Sequence, residues 1–330
     1  MKLRVADFCA GIGTLSLGFR QAGYRPVFAS EIDSAAADTY AANVGHRPAG
    51  DLAGIDPDAV PNHEVCVAGL PCVGFSTAGR RGRFDDNREA VLWSFLRVLT
   101  RKKPGVVVVE NVPALAREDG GRNLRFLTGC LRTAGYRVTW RVLNATRFGG
   151  AQHRPRLFVV GSRGRRFDFD RLPSEPAGRV ADLLDDNPAG WLDPGRYTLV
   201  PPRVLPGGKV FAGYRHAPRL RVPNGSRQLV ETHGHVNRVY SAAGVWPTLT
   251  ACGPSRLFWA EVGGRVRRLT RPELQRLQGL PDSFRWPHPG QFARLLGNSV
   301  HVPTARALAA AIGEQLFDVS TTSNLKGTAS

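Results

Sequence analysis

Four valines in succession, Val106-Val107-Val108-Val109, constrain the fold of this chain more than any other feature of its sequence. A strand with one wet face alternates apolar and polar residues. An unbroken apolar run therefore marks a strand buried on both faces, as the parallel strands of α/β sheets are. A second such run, Val65-Cys66-Val67-Ala68, leads into Gly69-Leu70-Pro71-Cys72-Val73-Gly74-Phe75-Ser76. Parallel strands align their carboxyl ends, and open α/β sheets hold ligands outside that edge. Glu110, which closes the valine run, and Cys72, presented on a stiff turn after Pro71, are expected to share one cleft.

The amino-terminal stretch predicts a βαβ unit. A strand over 3–8 is followed by a tight turn at Gly11-Ile12-Gly13, a helix over 14–22 stopped by Gly23, and a second strand over 25–30 ending at Glu31. Glycines let a ligand approach the backbone at the start of the helix, and Glu31 is placed to accept hydrogen bonds from ribose hydroxyls. The pattern indicates an adenosine cofactor and does not separate NAD from S-adenosylmethionine. A third strand is expected to end at Asp51, whose carboxylate would take the adenine amine. Helices are expected over 89–100, 123–134, 271–278 and 303–317, with an antiparallel pair over 136–143 and 156–161 closing the sheet. Between the members of that pair stands Gln152-His153-Arg154-Pro155-Arg156. Its two arginines, spaced to project to one side, suit a carbonyl oxygen or a phosphate.

From about residue 163 the texture changes. Residues 167–227 are rich in Pro, Gly, Arg and Asp with little periodicity, which predicts short strands and loops of a smaller domain rather than another layer of the sheet. Better-ordered pieces follow at 239–240, 247–250, 257–262 and 265–269. No internal repeat is present.

With 45 Lys and Arg against 27 Asp and Glu, the chain carries a formal charge of +18, which points to a polyanionic partner, nucleic acid before a membrane surface. No apolar run approaches the roughly 20 residues of a spanning helix. Met1-Lys2-Leu3-Arg4 runs directly into a strand pattern, so no secretory leader is expected. Gly74, Gly79 and Gly82 stand among Arg80, Arg81, Arg83 and Arg88 in a cationic segment suited to closing over a phosphate backbone. The five cysteines, Cys9, Cys66, Cys72, Cys130 and Cys252, are scattered without Cys-x-x-Cys spacing, so neither a disulfide framework nor a metal site is expected and a reducing cytoplasm is.

Read in order, Asp7-Phe8-Cys9-Ala10-Gly11-Ile12-Gly13, Glu31, Gly50-Asp51, Gly69-Leu70-Pro71-Cys72, Glu110-Asn111-Val112, Gln152-x-Arg154-x-Arg156, Leu269-Thr270-Arg271-Pro272-Glu273 with Arg276-Leu277-Gln278-Gly279, and Gly297-Asn298-Ser299-Val300 resemble the DNA (cytosine-5)-methyltransferase family over nearly the whole chain except 167–227. The resemblance implies a doubly wound, mostly parallel Rossmann-like α/β sheet with a smaller, irregular, mostly-β target-recognition domain. The catalytic domain would be discontinuous, 1–165 plus 290–318, with the recognition domain at 166–289 and a disordered tail at 319–330. S-adenosylmethionine is implied as cofactor, held by Asp7, Gly11, Ile12, Gly13, Glu31, Asp51, Leu52, Pro71, Asn298 and Ser299. Cys72 is implied as the nucleophile at carbon 6 of a flipped-out cytosine, Glu110 as proton donor at nitrogen 3, and Arg154 or Arg156 as the holder of oxygen 2.

Double-stranded DNA is the implied partner, with Arg80, Arg81, Arg83, Arg238 and Thr248 as candidate contacts. A cognate restriction endonuclease, a monomeric chain, and a bacterial or phage-encoded protein of the cytoplasm complete the expectation. The sequence departs from the family pattern at Val73, where glutamine is usual, and at Cys9, where an aromatic residue commonly packs on adenine. Neither departure removes a reacting group. The tRNA-methylating branch of the family is the nearest alternative, and Gly-Leu-Pro-Cys in place of Pro-Pro-Cys argues against it. An inactive DNA-binding homologue would not need Cys72, Glu110, Arg154 and Arg156 together. A nicotinamide oxidoreductase would account for the first βαβ unit alone.

Overall fold

The computed structural model describes residues 2–71, 86–186, 188, 190–216, 237–251 and 258–319. Cys72, Arg80, Arg81, Arg83 and the tail beyond 319 lie outside the described residues.

The first part of the chain runs β1 (Arg4–Phe8), α1 (Thr14–Gln21), β2 (Arg25–Ser30), α2 (Ser34–Val44), β3 (Val65–Gly69), α3 (Asp86–Lys102), β4 (Val106–Asn111), α4 (Arg122–Thr133), β5 (Arg137–Asn144) and β6 (Pro155–Ser162). Its six strands form one sheet in the order β2-β1-β3-β4-β6-β5. The pairs β1–β2, β1–β3 and β3–β4 are parallel, whereas β6 runs antiparallel to both β4 and β5. The chain steps outward from β1 to β2, then crosses back to β3 on the other side. That reversal leaves a crevice at the carboxyl ends, where such sheets take their ligands.

The second part contributes β7 (Tyr197–Leu205), β8 (Lys209–Arg215), β9 (Arg238–Ser241), β10 (Trp259–Val262) and β11 (Arg265–Arg267), then α5 (Arg271–Leu277), α6 (Phe292–Asn298) and α7 (Val302–Leu316). Its strands form a second sheet in the order β11-β10-β9-β8-β7, antiparallel except for β9 beside β10.

The valine run behaves as its composition requires. All four side chains are at most 1% exposed. Val107 and Val109 join Leu92, Phe95 and Leu99 of α3 and Leu124, Leu127 and Leu131 of α4 on one face. Val106 and Val108 join Leu15 and Phe19 of α1 and Ala305, Leu308 and Ile312 of α7 on the other. Each buried valine contributes roughly 1.5 kcal/mol or more, so the strand is locked between two helical layers. The last helix thus packs on the sheet begun by the first residues, and Tyr24 donates a hydrogen bond to the Ala309 carbonyl at 3.0 Å.

Two expectations about elements are corrected. No strand ends at Asp51; it caps the 3₁₀ turn Leu52–Gly54, and the third strand is β3. That segment touches the sheet's edge through the Ala49 N–H on the Ala29 carbonyl at 2.8 Å, and one such bond does not make a strand. Within 167–227, which reads as short irregular pieces, β7 and β8 form a long hairpin. Pro201 and Pro202 obscure it in the sequence, yet β7 is an edge strand and its register shifts between Leu199 and Arg203, where missing donors do little harm. Residues 247–250, read as a better-ordered piece, follow Trp246, which bridges to Gln152.

Candidate active site

Because β1 to β4 end together, their last residues and the turns after them surround one cleft. Its volume is about 660 Å³, within the range of small-molecule sites. Gly11, Ile12, Glu31, Asp51, Leu52, Pro71, Glu110, Arg156, Asn298 and Ser299 all line it. These are residues that the sequence singles out from seven separate stretches.

The glycine turn is fixed by sterics and by an acid. Gly13 caps α1 with φ +85°, and a Cβ there would lie 2.7 Å from the Tyr40 ring and 2.8 Å from Val44. Gly11 also has positive φ, but nothing lies within 4 Å of its would-be Cβ, so its backbone face is open to the cleft. Glu31 accepts the Gly11 N–H at 2.7 Å and the Asp33 N–H at 2.8 Å. The carboxylate therefore ties the end of β2 to the turn after β1. Asp51 accepts the Ala53 N–H at 3.0 Å from the neighbouring wall.

Two of the expected cofactor residues stand behind the wall rather than on it. Gly13 is covered by Tyr40, as described. Asp7 is fully buried, and one of its oxygens accepts the Ser16 N–H at 3.2 Å and the Ser16 hydroxyl at 2.7 Å. Burial pushes its pKa up to about 7, against the lowering effect of the Ser16 bonds. Asp7 secures the first turn of α1 beneath the glycines and makes no part of the lining, which corrects its expected place.

On the opposite wall Glu110 and Arg156 meet at 3.2 Å, with side chains 12% and 15% exposed. The antiparallel direction of β6 explains the meeting. Glu110 near the end of β4 pairs with Phe158, so the beginning of β6, with Arg156, lies at the same carboxyl edge. Burial raises the Glu110 carboxyl above its ordinary range, although Arg156 and then Arg154 pull it down. Arg156 is itself lowered by burial, with Glu110 opposing.

Arg154 does not reach the cleft. Its side chain turns the other way into a cage of carbonyls, so of the two arginines expected to hold a substrate oxygen only Arg156 is placed at the wall. Thr248 spends its hydroxyl on the His153 carbonyl at 2.5 Å, and Arg238 stands at the start of β9 in register with Tyr214. Neither lines the cleft.

The structure gives a place to residues to which the sequence assigned no role. Asn111 donates to the Leu70 carbonyl at 3.0 Å, tying the end of β4 to the turn that precedes Cys72, and its own oxygen accepts the Val112 N–H at 2.8 Å. An asparagine beside a strand-end acid was the available signal. Arg294 of α6 pairs with Asp33 at the cleft's edge and lowers the Asp33 pKa. Nothing in a chain with so many arginines marks that one out. Ile32 lines the cleft while 75% exposed.

In the cysteines within the described residues, burial favours the protonated thiol. Cys9 lines the cleft with φ 51°, and burial followed by Glu31, Asp7 and Asp51 pushes its thiol up to about 12. Cys66 and Cys130 are raised by burial as well. Among the described residues no group of His, Cys, Asp and Glu is arranged to hold a metal ion, and no helix is long and apolar enough to cross a membrane.

A mixed sheet with one reversed strand and a ligand cleft at its carboxyl edge is Rossmann-like, and the second sheet is an addition to that plan. The model of the C-5 cytosine-specific DNA methylase family matches residues 3–314, and the chain belongs to that family. The type II methyltransferase M.NlaX of Neisseria lactamica is 36% identical over 324 residues, covering 96% of this chain and 98% of the relative. M.NgoBI of Neisseria gonorrhoeae, also a type II methyltransferase, is 36% identical over 92% of this chain and 91% of its own length. Among solved structures, the S. pombe Dnmt2 methyltransferase superposes with a TM-score of 0.70 at 19% identity, over 96% of this chain and 99% of that one, which is a likeness of fold.

Proposed function

We propose that this protein transfers a methyl group from S-adenosylmethionine to carbon 5 of a cytosine flipped out of double-stranded DNA, through a covalent Cys72 adduct at carbon 6. The observation that carries the reading is the Glu110–Arg156 pair at 3.2 Å in the wall of the same cleft that Gly11, Glu31, Asp51 and Pro71 line.

The lining fits the cofactor. Gly11 offers an open backbone face, Glu31 and Asp51 offer carboxylate oxygens for hydroxyls and an amine, and Ile12, Leu52 and exposed Ile32 offer apolar surface for a purine. Asn298 and Ser299 would hold the remaining side. When bound, the cofactor supplies an electrophilic methyl carbon on a sulfonium, whose departing sulfur keeps the bonding pair.

The chain's own residues make the pyrimidine a nucleophile. Carbon 5 of cytosine attacks nothing unaided, so the Cys72 thiolate would add to carbon 6, forming an S–C bond and pushing an electron pair through the ring. Glu110, kept protonated further up the pH scale by burial, would give its proton to nitrogen 3 as that charge develops. Arg156 would hold oxygen 2 and keep the acid oriented. After carbon 5 has gained the methyl group, loss of its proton to a base and breakage of the S–C bond restore the ring double bond, the thiolate and the Glu110 proton. Asn111, by donating to the Leu70 carbonyl, would hold the turn that delivers Cys72.

Attack perpendicular to the ring demands that the base leave the stack, at a cost of about a few kcal/mol. Contacts from Arg80, Arg81 and Arg83 and from the second sheet, with Arg238 at the start of β9, would offset it. The second sheet and its surroundings, 166–289, would be the target-recognition domain. The protein would act as a bacterial or phage-encoded monomer on intracellular DNA, with or without a cognate endonuclease; the bacterial type II relatives support the bacterial setting.

The test is bisulfite-type sequencing of DNA from cells expressing the wild-type chain or Cys72→Ser. Protected cytosines in one sequence context, present with wild type and absent with the variant, are expected. Protection that persists with Cys72→Ser would overturn the thiolate role, and no protection with wild type would overturn the activity.

A further inference from the structure

Arg154 is 1% exposed, and its guanidinium is bonded to neutral acceptors from three separate segments. Nη1 donates to the Leu249 carbonyl at 2.7 Å and reaches Gln152 Oε1 at 3.5 Å. Nη2 donates to the Gly297 carbonyl at 2.8 Å and to the Ser299 carbonyl. Burying a guanidinium is unfavourable, and here burial, then nearby Arg156, pushes its pKa down to about 9. Neighbouring side chains repeat the same connections. Gln152, fully buried, accepts the Leu249 N–H at 3.1 Å and donates to Gln278 Oε1 at 2.9 Å. Gln278, also fully buried, donates to the Ser299 carbonyl at 3.0 Å and hydroxyl at 2.9 Å. Gly297 sits so close to the crossing segment that a Cβ would lie 2.3 Å from the Thr250 carbonyl carbon.

The cluster thus joins segment 246–250, which follows β9, to residues 297–299, which form one wall of the cleft. We propose that Arg154, with Gln152 and Gln278, is a positioning joint that fixes the Asn298–Ser299 wall of the cofactor cleft to the root of the second sheet. The joint rests on the cofactor reading above. A guanidinium suits it because its N–H groups lie in one rigid plane and set several carbonyl positions at once, which an ammonium on a flexible stem does not. The wall is then in place before a ligand arrives, and binding does not have to order it. Arg156, two residues on, turns instead to Glu110, so the two arginines divide the work between cofactor wall and pyrimidine.

The experiment titrates S-adenosylmethionine and its demethylated product S-adenosylhomocysteine calorimetrically into the full chain, as wild type, Arg154→Lys, Arg154→Gln and Gln278→Leu, with methyl-transfer kinetics in parallel. Both Arg154 variants are expected to bind either ligand about tenfold or more weakly, Arg154→Lys less severely, and Gln278→Leu several-fold more weakly. KM for the cofactor should rise in step, while kcat at saturating cofactor stays within about threefold. Unchanged affinity in folded Arg154 variants would overturn the joint, as would a fall in kcat at unchanged affinity, which would assign Arg154 to the substrate. Should the Arg154 variants fail to fold, Gln278→Leu decides: weakened binding supports the joint and unchanged binding overturns it. A wild-type chain that binds neither ligand would overturn the functional reading and the joint with it, whereas wild-type binding with unaltered variants would overturn the joint alone.

Discussion

Replacing Glu110 by glutamine preserves size and a hydrogen-bonding oxygen but removes the transferable proton and the charge that Arg156 faces at 3.2 Å. Both side chains are mostly desolvated, and breaking a buried ion pair outright costs about 3–5 kcal/mol because one charge is left uncompensated. The amide oxygen keeps part of the contact, so the loss of stability should be nearer about 1–2 kcal/mol. The loss of rate should be larger. A positioned proton donor contributes about 10²–10⁴-fold, or roughly 3–5 kcal/mol of barrier. The pH dependence separates the two effects. Burial raises the Glu110 carboxyl, so the acid stays protonated above the ordinary carboxylate range and its loss of a proton should shape the high-pH side of the rate profile. In Glu110→Gln that limb should vanish. Single-turnover transfer of labelled methyl to a duplex, measured across pH beside thermal unfolding, reads both effects. A variant within about threefold of the wild-type rate, with an unchanged profile, would refute the proton-donor argument.

The two glycines of the first turn should fail differently when changed to alanine. At Gly13 the new methyl group meets the fully buried Tyr40 ring and adopts a left-handed backbone, so destabilisation of about 2–4 kcal/mol should appear in urea denaturation. At Gly11 only the backbone cost of about 1–2 kcal/mol applies, and the main loss should be in cofactor affinity; equal effects on stability would contradict this. Asp7→Asn tests the buried acid. A carboxyl raised in the folded state supplies stability present below its unfolded pKa and lost as pH rises through about 7. Between pH 8 and pH 5.5 the wild type should therefore gain about 2 kcal/mol relative to Asp7→Asn, and parallel denaturation midpoints at the two pH values would count against it.

How far the sequence speaks depends on what each residue's role rests upon. The valine run could be placed on both faces of a sheet because no other structure buries four successive β-branched side chains so simply, and α3 and α4 supply one of the two covers. The meeting of Glu110 with Arg156 was half legible. The strand end marks the acid, but only the antiparallel direction of β6 brings its first residues to the same edge. Arg154 and Arg156 look interchangeable in the sequence, since residues two apart point to the same side of a strand. Tertiary partners separate them: one finds a carboxylate and the other a cage of carbonyls. Helix α2 has an aspartate cap and a glycine stop, but its buried residues are Ala36, Ala37, Thr39 and Tyr40, with no large aliphatic among them, so hydrophobic spacing does not announce it. The β7–β8 hairpin is hidden for the opposite reason, because prolines that usually interrupt strands sit on an edge where they are tolerated.

The account turns on a covalent bond between Cys72 and a pyrimidine, and a duplex carrying 5-fluorocytosine at the methylated position tests that bond directly. Fluorine cannot leave carbon 5 as a proton does, so elimination is blocked once the methyl group has been added. The account predicts a denaturant-resistant protein–DNA complex that forms only with cofactor present and is absent in Cys72→Ser. Normal methylation of the unsubstituted duplex with no trapped complex on the fluorinated one would contradict it.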